Sequence, residues 1–210
     1  LLQRAIAAGA EFRSGVRVAA LHYSGGEGER CVAGVRDADG REYVVVLDGD
    51  RETPLPWSNV LANAGFGTIV SSSGSAFSWA GNSRENRLTS WYNDPVSDPP
   101  GEVLYLREEE SGALWTPTPT PIRHESEYVV THGPGFSTFQ HVHRDVESVL
   151  HIGVAERDPV KITRLRLTNR GRKKKRLTVT YFAEWTLGAS ATRYALFPPP
   201  TQGQSGDGFR

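Results

Sequence analysis

The 210-residue chain has no methionine, a single cysteine and no long apolar run. With Cys31 alone, a disulfide within the chain is excluded, and the composition is compatible with a reducing compartment. No stretch approaches the roughly 20 apolar residues that a membrane-spanning helix requires, and the N-terminus lacks a signal-peptide pattern. The 24 basic and 24 acidic residues cancel, so no overall field recruits nucleic acid or an anionic membrane.

Methionine is missing even from position 1, and the chain closes on a Gly/Gln/Ser-rich run that matches no recognisable motif. We therefore expect the chain to be a piece of a longer polypeptide. On that expectation, catalytic machinery can lie outside these residues.

Glycine and proline are plentiful, with 22 and 13 residues, which indicates many turns. No convincing helical periodicity follows residue 20, although the apolar pattern of residues 1–21 is compatible with the end of a short N-terminal helix. Strands are predicted at Tyr43–Leu47, Phe66–Ser72, Val103–Leu106, Ala113–Trp115, Val142–Val154 and Val160–Leu167. These features predict an all-β fold, an antiparallel β-sandwich.

The clearest strand pattern lies near the C-terminus. Every second residue from Leu177 to Leu187 is apolar, which predicts a half-buried strand. The turn residues Asn169–Gly171 connect it to the preceding strand.

The segment Trp79–Asp94 is the richest in functional side chains. It holds three aromatic rings and two guanidinium groups, and it leads into the turn-rich loop Pro95–Gly101. Flat apolar rings beside planar hydrogen-bonding groups suit a sugar, which offers C–H faces and a rim of hydroxyls. The alternative is structural, because tryptophans often fill a sandwich core and Asn, Asp and Ser often bond to loop backbone.

Other candidate sites carry weaker signals. His141 and His143 share one predicted strand face that Asp145 and Glu147 continue, which is a pattern for a metal site, but no third ligand is evident. Asp94 pairs with Asp98 or with Glu85 as conceivable glycosidase carboxylates, although their spacing fixes no separation. The basic run 170–176 suggests nucleic acid, or, as the favoured reading, protection of an exposed strand edge. We therefore predict no metal and no nucleic-acid partner.

Longer strings make the chain recognisable. Thr53–Gly67, Ser71–Gly74 and Trp79–Gly101 resemble the N-terminal β-sandwich (supersandwich) domain of glycoside hydrolase family 94, formerly glycosyltransferase family 36. Within that family they are similar to the form found in cyclic β-1,2-glucan synthases. Further matching strings, in the family's order, are Tyr128–Phe139, Asp158–Asn169 and Arg176–Gly188.

The resemblance implies a galactose-mutarotase-like sandwich over residues 41–190. Residues 1–40 match poorly, and residues 191–210 are expected to be a linker or the start of an (α/α)6 barrel. In the family the catalytic aspartate lies in that barrel, and inorganic phosphate is the co-substrate. The parent protein is therefore expected to be an enzyme, whereas this chain carries no catalytic residue and no cofactor.

The resemblance also implies partners. They are a β-glucan or gluco-oligosaccharide, the adjoining barrel and a second copy in a homodimer. The parent enzyme is expected to be anchored in the inner membrane, with this domain at the cytoplasmic face. This chain itself is expected to make no membrane contact. Stacking on sugar is expected of Trp79 and Trp91, and hydrogen bonding of Arg84, Asn93 and Asp94. The full set of predicted sugar-contact residues is Trp79, Asn82, Arg84, Glu85, Trp91, Asn93 and Asp94.

Overall fold

Strands make up all the regular structure that a computed structural model describes, which covers residues 41–188 in full and the backbone of residues 18–24 and 31–37. The strands are β1 (Val18–Ser24), β2 (Cys31–Asp37), β3 (Tyr43–Leu47), β4 (Ser58–Ala62), β5 (Phe66–Ser71), β6 (Ala76–Ala80), β7 (Glu102–Glu108), β8 (Leu114–Trp115), β9 (Tyr128–Gly133), β10 (Phe136–His143), β11 (Val146–Val154), β12 (Lys161–Asn169) and β13 (Leu177–Ala183). Within this part of the chain, no helix is long and apolar enough to span a lipid bilayer.

Three antiparallel sheets form the sandwich. The largest has seven strands in the order β1-β2-β3-β9-β10-β11-β12, and two three-stranded sheets have the orders β4-β5-β6 and β13-β7-β8. Every strand pairing recorded within these sheets is antiparallel. The predicted antiparallel all-β sandwich is confirmed.

Alternating side chains build the core between these sheets. Val130 of β9 and Phe139 of β10 are fully buried and share a cluster with Leu61 of β4 and Val70 of β5. A second cluster joins Leu106 and Trp115 of the β7–β8 sheet to Val146 of β11. Each small sheet therefore packs its apolar face on the large one, which is how a sheet removes its hydrophobic side from water.

One predicted strand is wrong. Val142–Val154 is not a continuous strand, because β10 ends at His143 and β11 begins at Val146. Arg144 and Asp145 form the turn with φ of 50° and 62°, the left-handed conformation at both central positions that a two-residue hairpin favours. Neither is a glycine or asparagine, and a single aspartate beside an arginine is only a weak turn signal.

The C-terminal strand also departs from expectation. β13 pairs with β7 rather than with its chain neighbour β12, so Asn169–Gly171 links two sheets instead of closing a hairpin. Of the apolar side chains on the face predicted to be buried, Val179 is 49% and Tyr181 50% exposed, so this face is covered only in part. The predicted strand also ends at Ala183, well before Leu187.

At the N-terminus, residues 18–21 of the predicted helix end belong to β1. The rest of that prediction, residues 1–17, lies outside the described residues, as does the predicted linker 191–210.

Candidate functional site

A groove of about 290 Å³ opens beside strands β5 and β6. Its lining comes from three places: the Pro-rich loop and the first residue of β4, the β5–β6 hairpin, and residues between 91 and 99. The apolar lining residues include Leu55, Pro56, Ile69, Phe77 and Trp91, and the polar ones include Asn93, Asp94 and Asp98. Three of the predicted sugar-contact residues, Trp91, Asn93 and Asp94, thus meet at one concavity.

The indole of Trp91 packs against the core through the ring of Phe77. It stacks on Phe77 with ring centroids 4.7 Å apart and 7° between the planes, and Phe77 is only 2% exposed. The Cζ of Arg87 lies 5.7 Å from the centre of the Trp91 ring, and its Nη1 donates to the Trp91 carbonyl over 3.4 Å. Trp91 nevertheless keeps 38% of its surface exposed, so part of the indole remains open to solvent.

Asn93 is an exposed groove residue with an unusual backbone. Its φ is 51°, in the left-handed region that non-glycine residues seldom adopt and that asparagine tolerates best. Among residues 41–188 its side chain makes no recorded hydrogen bond, so its amide is available to a ligand. Uncommon backbone conformations of this kind cluster at functional sites.

Asp94 is committed to its own loop. Its Oδ1 accepts the amide of Val96 at 2.9 Å and of Ser97 at 3.3 Å, and Ser97 Oγ donates to Oδ2 at 2.5 Å. The Ser97 hydroxyl, followed by the two amides, lowers the pKa of this carboxyl. Asp94 therefore stays ionised, the opposite of what a glycosidase general acid needs.

Asp98 ties the groove loop to the hairpin between β5 and β6. Its Oδ2 accepts the hydroxyl of Ser71 at 2.6 Å and that of Ser73, while its own backbone is left-handed, with a φ of 38°. Sequence reasoning considered Asp98 only as half of a carboxylate pair. The signal that could have placed it here is the serine-rich string 71–75, which has more hydroxyls than a plain turn requires.

The other predicted residues lie at the far end of the segment and do not line the groove. Trp79 covers Gly67 across the β5–β6 ladder. Asn82 Oδ1 accepts the amides of Arg84 at 2.8 Å and Glu85 at 3.0 Å, so Asn82 caps a turn. Arg84 and Glu85 form an ion pair of 3.3 Å with side chains 87% and 64% exposed. Of the predicted sugar-contact residues, Trp91, Asn93 and Asp94 therefore line the groove, and the other four do not.

The histidines do not form the arrangement that a metal site needs. The ring of His124 stacks on His143 with centroids 3.8 Å apart, and His141 stacks on Tyr128 at 3.7 Å. Across the fully described residues 41–188, no three or more His, Cys, Asp or Glu side chains are arranged to hold a metal ion. The prediction that Asp145 and Glu147 continue the histidine face is wrong. Asp145 lies in the β10–β11 turn, and Glu147 pairs with Val142, on the opposite face of the sheet from His141 and His143.

The basic run lies on the connection from β12 to β13, and three of its six basic side chains form ion pairs with carboxylates. Arg170 pairs with Glu147 at 2.7 Å, Lys175 with Glu108 at 2.6 Å and Arg176 with Glu110 at 3.1 Å. These ion pairs agree with a structural role at a sheet edge.

Comparison with known proteins places the chain in a family. Residues 41–197 match the model "Glycosyl hydrolase 94, supersandwich domain". The chain is 42% identical over 160 residues to the cyclic beta-(1,2)-glucan synthase NdvB of Rhizobium meliloti (strain 1021), covering 76% of this chain and 6% of that protein. It is 33% identical over 110 residues to the N,N'-diacetylchitobiose phosphorylase of Vibrio proteolyticus, covering 51% of this chain and 13% of that enzyme.

A third relative is the 3-O-beta-D-glucopyranosyl-beta-D-glucuronide phosphorylase of Paenibacillus borealis, 29% identical over 141 residues, which are 67% of this chain and 17% of that enzyme. The chain thus spans between 6% and 17% of the length of these three relatives. Taken with the all-β sandwich, the match identifies this chain as a member of glycoside hydrolase family 94, within its supersandwich domain.

Proposed function

We propose that this chain is a non-catalytic domain of a β-1,2-glucan-processing phosphorylase or transferase, and that it contacts glucan at the groove beside Trp91. The observation that carries the proposal is the pairing of a partly exposed indole with an unbonded, exposed amide at Asn93. The names of the relatives, all glucan synthases or glycoside phosphorylases, supply the class of substrate.

The groove offers the two kinds of contact that a glucosyl unit needs. The open part of the Trp91 indole and the side chains of Leu55 and Pro56 provide apolar surface for the C–H face of the ring. The Asn93 amide provides both donors and an acceptor for hydroxyls. Because Asp94 is occupied by its own turn, Asn93 is the principal polar contact in this proposal.

The exposed apolar surface of β13 and the residues after it is where we propose that the (α/α)6 barrel packs. Phe182, Trp185 and Leu187 are 46%, 57% and 47% exposed. Large apolar side chains left this exposed near the end of a domain are candidates for an interaction site. In this proposal the barrel supplies the catalytic acid and receives inorganic phosphate, at the cytoplasmic face of the membrane that anchors the parent enzyme. A homodimer would bring the segment 82–94 towards the partner's active site.

The rival is a purely structural or dimerisation domain without sugar contact. The hydrogen bonds of Asn82, Asp94 and Asp98 favour it, because each of these side chains serves loop backbone or neighbouring hydroxyls. The rival leaves the open indole and the free Asn93 amide without a role.

A calorimetric titration of the 210-residue chain with linear β-1,2-gluco-oligosaccharides distinguishes the sugar-binding proposal from the structural alternative. Folding is first verified by far- and near-ultraviolet circular dichroism. We expect saturable binding that Trp91→Ala weakens by about tenfold, corresponding to roughly 1.4 kcal/mol. Asn93→Gly keeps the left-handed backbone accessible while removing the amide, so its loss of affinity reports on the side chain alone.

Arg84→Ala is the matched control, since Arg84 is highly exposed and lies outside the groove. Unchanged affinity in Arg84→Ala with reduced affinity in Asn93→Gly supports the groove. Absence of saturable binding in a folded sample would overturn the sugar contact and favour the scaffold.

A further inference from the structure

A buried carboxylate is hydrogen-bonded to the groove segment, which is residues 89–99 and carries Trp91. Glu102 is 6% exposed and accepts four hydrogen bonds. Its Oε1 accepts the hydroxyls of Ser78 at 2.7 Å and Thr89 at 2.8 Å. Its Oε2 accepts the Lys161 ammonium at 2.5 Å and the hydroxyl of Tyr181.

The two oxygens face different parts of the fold. Ser78 is on β6 and Thr89 is on the segment that carries Trp91, so Oε1 binds the groove side. Lys161 is on β12 and Tyr181 on β13, so Oε2 binds the strands on the other side. Since Glu102 itself starts β7, one carboxylate joins all three sheets.

The two residues bound to Oε1 are close in the chain to the stacked rings of Phe77 and Trp91. Ser78 directly follows Phe77, and Thr89 precedes Trp91 by two residues. Thr89 Oγ1 also accepts the backbone amide of Ser78 at 2.8 Å, and the amides of Leu88 and Thr89 donate to the Ser78 carbonyl at 2.8 and 3.3 Å. The two chain segments are therefore bonded directly to each other, and Glu102 adds a side-chain bridge between them.

The neighbouring backbone leaves little room for adjustment. A Cβ added to Gly101 would lie 2.3 Å from the carbonyl oxygen of Ser90, so the β7 start and the groove segment touch through backbone atoms. Buried, fully bonded networks of this kind fix one arrangement of the elements they connect.

We propose that Glu102 is a positioning residue for the groove: by holding Thr89 and Ser78 together it sets where Trp91 lies on Phe77, and thereby the affinity for glucan. The affinity part of this inference rests on the glucan contact proposed above. The positioning part rests on the hydrogen bonds alone.

Hydroxyl deletions on the same carboxylate test it. Thr89→Val removes a donor to Oε1 together with the acceptor of the Ser78 amide, whereas Tyr181→Phe removes the donor to Oε2 and touches neither the groove nor its segment. Ser78→Ala removes the other donor to Oε1 and keeps the bond from the Ser78 amide to Thr89, so an effect shared by Thr89→Val and Ser78→Ala reports on Glu102. We expect Thr89→Val to weaken binding of linear β-1,2-gluco-oligosaccharides by about tenfold. Tyr181→Phe should leave the affinity within about twofold, although each substitution lowers the Tm.

The indole N–H cross-peak of Trp91 in a ¹H–¹⁵N NMR spectrum, assigned with Trp91→Phe, reports position without any ligand. It should move in Thr89→Val and not in Tyr181→Phe. Thr89→Ser restores a hydroxyl and should return both the cross-peak and the affinity towards those of the unsubstituted chain.

Equal losses of affinity in Thr89→Val and Tyr181→Phe, or an unmoved cross-peak in Thr89→Val, would overturn the positioning role and leave Glu102 as a stability element. If the unsubstituted chain binds no glucan, the proposed function fails. The cross-peak in the two variants then still decides whether Glu102 positions Trp91.

Discussion

The indole of Trp91 lies parallel to the buried ring of Phe77, with centroids 4.7 Å apart. Phe77 belongs to β6 and is 2% exposed, so it moves only with the core. The orientation of Trp91 is therefore set before any ligand arrives, which reduces the entropy lost on binding. A loop residue without such a partner would have to be ordered by the ligand itself.

Removing the ring of Phe77, which supports Trp91, should lower the stability of the fold. Phe77→Ala opens a cavity under Trp91 and is expected to lower the free energy of unfolding by about 3–5 kcal/mol. Urea denaturation followed by circular dichroism measures this change. Val96→Ala, at a side chain 94% exposed, serves as the control and should change the value by less than about 0.5 kcal/mol. A loss below about 1 kcal/mol in Phe77→Ala would contradict the packing described for this ring.

Gly67 should resist replacement for a different reason. An added Cβ would lie 2.2 Å from Cζ2 of Trp79, so Gly67→Ala must displace the indole. We expect a loss of about 1–3 kcal/mol and a changed near-ultraviolet circular dichroism signal. Gly65→Ala, two residues away, is the control, because its nearest atom would be 3.9 Å from the new Cβ. Equal melting temperatures for the two variants would refute the close approach.

Much of this architecture is predictable from the sequence. β3 and β5 follow from compact apolar runs, and the predicted strands Val103–Leu106 and Ala113–Trp115 correspond to β7 and β8. The wrong prediction of a continuous strand at Val142–Val154 has a physical cause. The β10–β11 turn uses Arg144 and Asp145 in a conformation for which glycine or asparagine is the usual signal.

The groove was only half predictable. Trp91, Asn93 and Asp94 are close in sequence and remain close in space, so their grouping follows from local chemistry. Leu55, Pro56 and Ile69 join them through sheet pairing, which no local pattern specifies. Trp79 was expected to stack on sugar, as Trp91 was, but it does not line the groove. The β5–β6 register places it over Gly67, and that register is a tertiary property.

The stacked histidines should make the fold sensitive to acid. Burial lowers the pKa of His141 and of His143 to about 4, against an ordinary value of 6.5, with smaller contributions from His124 and nearby arginines. The unfolded chain therefore binds more protons between these values, and stability is full above about pH 6.5 and falls as the pH approaches 4. Between pH 7.5 and 5.0 the loss is roughly 2 kcal/mol for His141, and it is smaller for His143, which is only partly buried.

His141→Phe keeps a ring against Tyr128 and cannot titrate. Denaturant unfolding at the two pH values should show a smaller difference for this variant than for the unsubstituted chain. The comparison uses the change with pH and not the stability itself, because the variant also loses the 3.1 Å hydrogen bond from the imidazole to the Glu127 carbonyl. An identical pH dependence in both proteins would exclude His141 as a contributor.

Neutralising one partner of the Glu102–Lys161 ion pair should destabilise the fold strongly, whereas neutralising both partners should destabilise it much less. Their side chains are 5% and 12% exposed, so Glu102→Gln strands a buried ammonium, and we expect a loss of about 3–5 kcal/mol. The double variant Glu102→Gln, Lys161→Met removes both charges, so it should be more stable than Glu102→Gln alone. Denaturant midpoints for the four members of this double-mutant cycle give the coupling energy directly. Additive losses would mean that the two charges are each solvated independently, which would contradict the buried 2.5 Å contact between them.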